Sequence, residues 1–403
     1  MKQIRRSIYL EKLHSYIQAP AITVVTGPRR AGKSVLLRQL AEELISSEQV
    51  VFIDKESFDF EGINTGRDLI SHVDIHSSGK ERRYVIVDEI QQIAGWEQAV
   101  ASLNGDEHSR VIISGSNASL LSGDLATLIA GRYLTLPVFP LSLPEFQELY
   151  QLLHGDHHLD RLELFRLYLR FGGLPGLLHT DLSTDVVSQM QKDIVNTIAV
   201  RDIISRYNIR DIRLFESVMS FALENIGNLL SAKKITDFLK KERRSLSVDS
   251  VLNYLRYMQD AFLLYEVPRF DIKGKKLMEI NHKYYLGDIG IRNGFIGYRE
   301  QDISGIFENL VFLELKRRAY TVTVGSITGE EIDFIAEKDK LRSYIQVSYI
   351  LGSPATIERE LSPLRNVDDN YSKTLLTLDS FQPRDFQGIH HRSILDFLMG
   401  EEL

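Results

Sequence analysis

Cysteine is absent from this chain of 403 residues. Disulfides, thiolate metal centres and cysteine nucleophiles are therefore excluded, and a reducing, cytoplasmic location is the expectation. Long apolar runs are also missing. None approaches the ~18 residues that a membrane-spanning helix needs, so no membrane partner is expected. The opening segment, MKQIRRSIYLEKL, carries positive charge but no apolar core, and no signal peptide is expected. Basic charge is not in excess, since 48 Lys and Arg against 55 Asp and Glu leave a net charge of -7. Such a chain has no global attraction to nucleic acid, and any binding must use a local patch. The rest is ordinary globular composition, 43% hydrophobic and 26% charged. The length suits two or three domains, each with its own core.

The most informative run is AITVVTGPRRAGKSVLL, residues 21–37. Gly27-Pro28-Arg29-Arg30-Ala31-Gly32-Lys33-Ser34 is a complete G-x4-G-K-S phosphate loop, with a β-rich run before it and a helical run, Ser34 to Ile45, after it. Backbone amides of such a loop wrap phosphates, the lysine reaches the β- and γ-phosphates, and the serine hydroxyl binds Mg²⁺. Gly27, Pro28, Arg29, Arg30, Ala31, Gly32, Lys33, Ser34 and Val35 are thus the candidate nucleotide-binding residues, with ATP and Mg²⁺ the expected cofactors. Tyr84-Val85-Ile86-Val87-Asp88-Glu89 is an uninterrupted buried-strand pattern ending in two acids. Asp88 would join Ser34 in the Mg²⁺ shell, and Glu89 would orient or deprotonate the attacking water.

Around these motifs, strand patterns at Val50–Asp54, Arg110–Ser114 and Ala130–Pro137 alternate with helical ones at Arg67–His76 and Trp96–Leu103. The alternation implies an α/β domain with a parallel sheet and helices on both faces. One strand separates the phosphate loop from the Asp-Glu strand, which suits the additional-strand class of phosphate-loop NTPases. In that class a polar residue after the next strand senses the γ-phosphate. Ser114, Ser116 and Asn117 are the candidates, and a helix cap is the alternative. Arg132 is the arginine-finger candidate, in cis or in trans, with a structural arginine as the alternative. The Pro137–Pro144 punctuation closes an expected ATPase core over residues 1–144.

Residues 145–210 read as a helical lid broken by Phe171-Gly172-Gly173-Leu174-Pro175-Gly176. Arg201-Asp202 lies near its end, the arginine as a nucleotide contact or in a helix-surface ion pair. Residues 211–285 read as a winged helix-turn-helix, with helices at Arg213–Glu224, Ser231–Lys241 and Val248–Phe262 and a hairpin wing over 264–285. From Ser231 to Lys276 there are eleven Lys or Arg and six Asp or Glu, a local +5. Lys233, Lys234, Lys240, Lys241, Arg243, Arg244, Lys273, Lys275 and Lys276 are candidate phosphate contacts, with Ser247, Asp249 and Ser250 at the front of the third helix. That front edge has an acid and no arginine, which is poor for reading guanine. Weak or nonspecific DNA binding is expected. The alternative is a protein-interaction module.

Residues 286–403 alternate again. An amphipathic helix is expected over Phe307–Leu315, and strands at Glu331–Ile335 and Ser343–Tyr349. Period two places Glu331 and Asp333 on one face and Ile332 and Phe334 on the other. Glu308, Asp333 and the polar pair Gln346 and Ser348 resemble the pattern of a restriction-endonuclease-like core, in which the acids bind Mg²⁺ and a glutamine is tolerated at the position of Gln346. In active enzymes of that type a lysine follows two residues after the position of Gln346. Here Ser348 stands there, and Lys340 and Arg342 lie upstream. A vestigial, inactive nuclease site is expected.

The runs GPRRAGKS, VIVDEIQ, SGSNASLL, AGRY, PLSLPEF, RFGGLP, YYLGDIGIRN, FENLVFLEL and EIDFI together resemble a large family of prokaryotic AAA-type ATP-binding proteins. These join an N-terminal ATPase to a C-terminal domain of unknown function with a nuclease-like fold. The resemblance covers almost the full chain. It implies ATP binding and hydrolysis at Gly27, Gly32, Lys33, Ser34, Asp88 and Glu89, and it implies little about substrate. The leading expectation is an ATPase coupled to DNA. A nucleotide-dependent protein-interaction switch and an ATP-gated, Mg²⁺-dependent nuclease are the alternatives.

Overall fold

The computed structural model describes residues 2–45, 48–77, 82–121, 131–155, 159–299, 303–379 and 385–403. It divides into two compact units, one running to Pro140 and including Asp260–Phe262, the other Leu141–Gln259 with Leu263–Leu403. Among the described residues no helix is long and apolar enough to cross a membrane.

The first unit runs α1 (Ser7–Tyr16), β1 (Ile22–Thr26), α2 (Lys33–Ile45), β2 (Gln49–Asp54), α3 (Gly66–His76), β3 (Arg83–Asp88), α4 (Trp96–Gly105), β4 (Ser109–Gly115) and β5 (Tyr133–Pro137). Its five strands are all parallel, in the order β2-β3-β4-β1-β5. The expected α/β class with a parallel sheet is therefore observed, and β4 is the additional strand between the loop strand and the Asp-Glu strand. Ala130, the expected start of the last strand, lies outside the described residues. Strand alternation builds two cores. Val85 and Val87 face Leu69, Val73, Trp96 and Val100 of α3 and α4. Tyr84 and Ile86 face the other way, toward Leu10 and Leu13 of α1 and Leu36, Leu37 and Leu40 of α2. With both faces covered, an uninterrupted apolar strand is the stable choice.

The second unit opens with α5 (Leu143–His154), α6 (Arg161–Phe171) and α7 (Thr184–Thr197), the last continuing into a π-helical segment, Ile198–Ile204. Then come α8 (Ile212–Glu224), β6 (Leu229–Leu230), α9 (Ala232–Lys241), α10 (Val248–Asp260), β7 (Leu264–Val267), β8 (Arg269–Asp271), β9 (Lys276–Leu277) and β10 (His282–Leu286). Ser231 caps α9 by accepting from Lys234 N at 3.2 Å, and Ser247 accepts from Ser250 N at 3.1 Å at the start of α10. The chain continues through α11 (Ile289–Ile296), α12 (Ile303–Arg317), β11 (Thr321–Ile327), β12 (Glu330–Lys338), β13 (Leu341–Val347), α13 (Pro354–Arg365), β14 (Ser372–Thr377), β15 (Ile389–Ser393) and α14 (Ile394–Leu398).

Two sheets result, β6-β10-β7 and β15-β14-β13-β12-β11-β8-β9. The hairpin expected as the wing is divided between them. Its base, β7 with β10, belongs to the small sheet, while β8 pairs in parallel with β11 of the large one. Main-chain groups of β8 that a free wing would leave open are thereby paired. A second expectation also changes. Ile306 through Leu315 are buried without interruption, so α12 is a central helix and not an amphipathic one. Its polar residues are satisfied inside: Asn309 Oδ1 accepts from Leu286 N at 2.6 Å, and Glu314 accepts from Arg318 Nε at 2.7 Å.

Candidate functional site

The loop after β1 is shaped by backbone. Gly27 has φ 143°, and a Cβ there would stand 2.0 Å from Val138 O. Arg30 (φ 64°) and Gly32 (φ 96°) are also left-handed. Alternation of this kind turns successive N–H groups toward one concavity suited to an anion. Lys33 opens α2, is 4% exposed, and donates to Gly27 O and Pro28 O, both at 3.0 Å. Its ammonium is thus held inside the loop. Arg29 pairs with Glu56 at 3.2 Å. Arg6 braces the loop from outside: it donates to Ala31 O and Phe139 O, each at 3.0 Å, and lies over the Tyr9 ring.

Asp88 ends β3 at 1% exposure. Its Oδ1 accepts from the Ser114 hydroxyl, and its buried Oδ2 has no hydrogen-bond partner. Burial raises its carboxyl above the ordinary range, the Ser114 and Ser34 hydroxyls pull it back, and the charges of Glu89 and Asp54 add to the rise. A buried carboxylate with one under-satisfied oxygen and the Ser34 hydroxyl near it fits Mg²⁺, which takes one or two carboxylates together with phosphates and waters. Glu89 follows with φ 55°, a strained conformation for a non-glycine residue. Its backbone N donates to Ser114 Oγ at 3.1 Å, and its carboxylate accepts from Ser116 Oγ at 3.2 Å and from the Gln91 amide. One strand end, that of β4, therefore supplies hydroxyls to both acids. Asn117 follows it at 1% exposure.

Arg132 is not brought to this group. It precedes β5, its carbonyl accepts from Ile22 N at 2.9 Å, and the strands run parallel. It therefore sits at the opposite end of β1 from Gly27, roughly 16 Å away at ~3.3 Å per residue. Arg201 and Asp202 lie in the π-helical segment of the second unit.

The basic residues form two groups. Lys233, Lys234, Lys240 and Lys241 are exposed on α9, with Arg243 and Arg244 in the turn after it. Arg244 donates to Ser217. Lys273, Lys275 and Lys276 are exposed at the β8–β9 hairpin, on the edge of the large sheet.

The polar residues singled out in the C-terminal segment do converge. Glu308 on α12, Asp333 on β12 and Gln346 on β13 meet, with Asp333 N donating to Gln346 Oε1 at 3.3 Å. A cation also stands among them, although Ser348 supplies none: Lys283 of β10 is 2.9 Å from Glu308, 2.8 Å from Glu331 and 3.2 Å from Asp333. Burial works against the Lys283 ammonium, but the surrounding Tyr285, Glu308, Asp333 and Glu331 outweigh it and hold its pKa above the usual lysine range. Burial, and then the charge of Asp333, raise Glu308 above the ordinary carboxylate range. Sequence reading missed Lys283 and Arg6. For Lys283 a signal existed: a lysine inside the strand pattern His-Lys-Tyr-Tyr-Leu needs an internal partner.

Sheet order, loop geometry and the paired acids define a phosphate-loop protein of the AAA type. Residues 19–147 match the model of an AAA domain, and residues 162–302 match that of a domain of unknown function (DUF8612). The chain is 34% identical over 403 residues to an uncharacterized protein of Haemophilus influenzae, covering 98% of both, and it belongs to that protein's family. An uncharacterized protein of Methanocaldococcus jannaschii is 29% identical over 370 residues, covering 89% of this chain and 80% of its own. Among solved structures, the Walker-type ATPase of Pyrococcus abyssi is similar in fold, with a TM-score of 0.53, 16% identity, and coverage of 73% of this chain and 98% of that one.

Proposed function

We propose that the chain is a Mg²⁺-dependent ATPase that couples its nucleotide state to a DNA-binding winged helix and a nuclease-like domain that does not cleave. The observation that carries the ATPase reading is the pairing of Asp88, its Oδ2 buried and unpartnered, with Glu89 on the hydroxyls of β4. Gly27 to Val35 would cradle the phosphates, with Lys33 supplying positive charge from within the loop. Ser34 and Asp88 would hold Mg²⁺, which when bound neutralises phosphate charge. Glu89 would orient water, and Ser116 or Asn117 would sense the terminal phosphate. An arginine-finger role for Arg132 is compatible with its position only from a neighbouring chain.

The order α8, β6, α9, α10, β7, β10, with β10 between β6 and β7, supports the winged-helix reading. The six exposed basic residues of α9 and its following turn support DNA binding there. The basic residues of the β8–β9 hairpin, lying on another sheet, fit a second phosphate contact less well. The order α12, β11, β12, β13, α13, β14 supports a restriction-endonuclease-like core. A protein-partner switch is favoured by one observation: Val248 and Leu252 are 44% and 51% exposed, one helical turn apart on α10.

The test is ATP turnover with and without single-stranded and duplex DNA. Lys33→Ala should remove most phosphate binding. Glu89→Gln should bind ATP but turn over ~10²- to 10⁴-fold more slowly. Wild-type turnover in Lys33→Ala sinks the mechanism. Neutralising Lys233, Lys234, Lys240 and Lys241 should weaken DNA binding at all sequences and flatten its salt dependence. An unchanged salt slope moves the reading to a protein partner.

A further inference from the structure

Lys283 has the chemistry of a bound ion. It is 2% exposed, and its ammonium lies between 2.8 and 3.2 Å from three carboxylates on two elements, α12 and β12. A buried ammonium is tolerated only when paired and hydrogen-bonded. Both oxygens of Asp333 and one of Glu308 are already engaged. Asp333 Oδ2 accepts from Val347 N at 3.0 Å, and Glu308 Oε2 accepts from Tyr285 OH at 3.0 Å. Gln346 is used at both ends, since its Nε2 donates to Glu360 at 3.0 Å. Among the described residues no group of three or more His, Cys, Asp or Glu is arranged to hold a metal ion. With Lys283 in place the residues do not fit the Mg²⁺ that a nuclease-like core implies.

Beside the ammonium lies a cavity of about 330 Å³, lined in part by Glu308, Glu331, Asp333, Gln346, Arg359 and Glu360. With Glu330, five carboxylates there face one arginine, so the cavity favours cations and repels free phosphate. It has room for an ion with its waters.

We propose that Lys283 is an internal substitute for a divalent cation. It neutralises the Glu308, Glu331 and Asp333 cluster, closes it to Mg²⁺, and ties β10 of the small sheet to α12 and β12. The same carboxylates become a divalent-cation site when the ammonium is removed. This is independent of the ATPase reading.

Mn²⁺ titration of the full chain carrying Asp88→Asn, which silences the nucleotide site, tests it. Free Mn²⁺ is followed by electron paramagnetic resonance. The parent should bind no Mn²⁺ that depends on Asp333. Adding Lys283→Met should create one site, at least about tenfold tighter than any residual binding, and Asp333→Asn on top should abolish it. Mn²⁺ should raise the melting temperature of the Lys283→Met chain and not that of its parent. If Lys283→Met folds poorly, Lys283→Gln carries the same expectation, and recovery of fold by Mn²⁺ counts in favour. The proposal is overturned if the parent holds an Mn²⁺ that Asp333→Asn removes. It is equally overturned if neither Lys283 variant gains a site or a Mn²⁺-dependent fold. Failure of the ATPase reading would appear separately, as ATP turnover insensitive to Lys33→Ala.

Discussion

Replacing Arg6 by methionine should loosen the phosphate loop from behind. The Arg6 side chain reaches across the first unit to two carbonyls, Ala31 O in the loop and Phe139 O after β5, each at 3.0 Å. Its guanidinium lies 4.3 Å from the Tyr9 ring, and Tyr9 OH in turn accepts from Phe139 N at 3.2 Å. One residue thus ties the loop to the strand that flanks it. Methionine keeps the apolar stem and removes both donors. Two charge-assisted bonds contribute about 1.5–3 kcal/mol each. The recovered cost of burying a guanidinium offsets several kcal/mol of that. The net loss should be about 2–3 kcal/mol, because two carbonyls are left without the donors they had.

For a unit of roughly 140 residues each kcal/mol is worth about 3 °C, so melting should fall by about 6–9 °C. If half of the loss is expressed as disorder of Ala31 and its neighbours, ATP affinity should drop about tenfold, since 1.4 kcal/mol is one decade. The assay is binding of a fluorescent ATP analogue beside a thermal melt, with Arg6→Lys as the control that keeps charge and one donor. Unchanged affinity together with unchanged melting in Arg6→Met would refute the reasoning. A fall in turnover without a fall in affinity would show that Arg6 acts on something other than the loop.

Gly27→Ala should cost more than tenfold in ATP affinity, because its Cβ would lie 2.0 Å from Val138 O at φ 143°. The ends of β1 and β5 would have to part by about 1 Å, on top of a left-handed penalty of about 1–2 kcal/mol; normal binding by isothermal titration contradicts this. Ser114→Ala removes the hydroxyl that donates to Asp88 and accepts from Glu89 N. Turnover should fall at least about tenfold while ATP affinity changes little, an asymmetry read from kcat against Kd. Asp288 caps α11 and accepts from Gly173 N at 2.7 Å and from Gly290 N at 2.8 Å, and burial pushes its carboxyl from 3.8 up to about 6. A raised value means that its contribution to stability is present below the unfolded pKa and is lost as pH rises through the folded one. That loss is on the order of 3 kcal/mol between about pH 4 and about pH 6. Wild-type melting should therefore fall relative to Asp288→Asn across this window, and parallel curves would contradict it.

What could be read from the chain divides along one physical line. The first unit was legible because its signals are local. Val85 and Val87 alternate with Tyr84 and Ile86 as a strand covered on both faces must. The spacing from Gly27 to Ser34 carries its own backbone geometry, and Asp88-Glu89 sits where a parallel strand ends. The choice left open for Arg132, in cis or in trans, could not be made from sequence, because only the parallel pairing shows that the start of β5 lies at the end of β1 remote from the loop. The harder cases are buried charges whose partners are distant in sequence. Glu308 and Asn309 suggested a wet face on the Phe307–Leu315 helix, yet both are enclosed, because Lys283 and Leu286 arrive to satisfy them. Arg6 looked like one more basic residue near the start of the chain, and only the folded sheet brings residues 31 and 139 to it. A charged residue inside an apolar pattern announces a partner without saying which. In the second unit the partner of the acids is Lys283, a lysine that belongs to another sheet. Ser348 supplies no cation to these acids, and Lys283 does. Their counter-charge comes from a strand of the small sheet and reaches acids on α12 and on a strand of the large one, so the cluster acts as a joint between these elements.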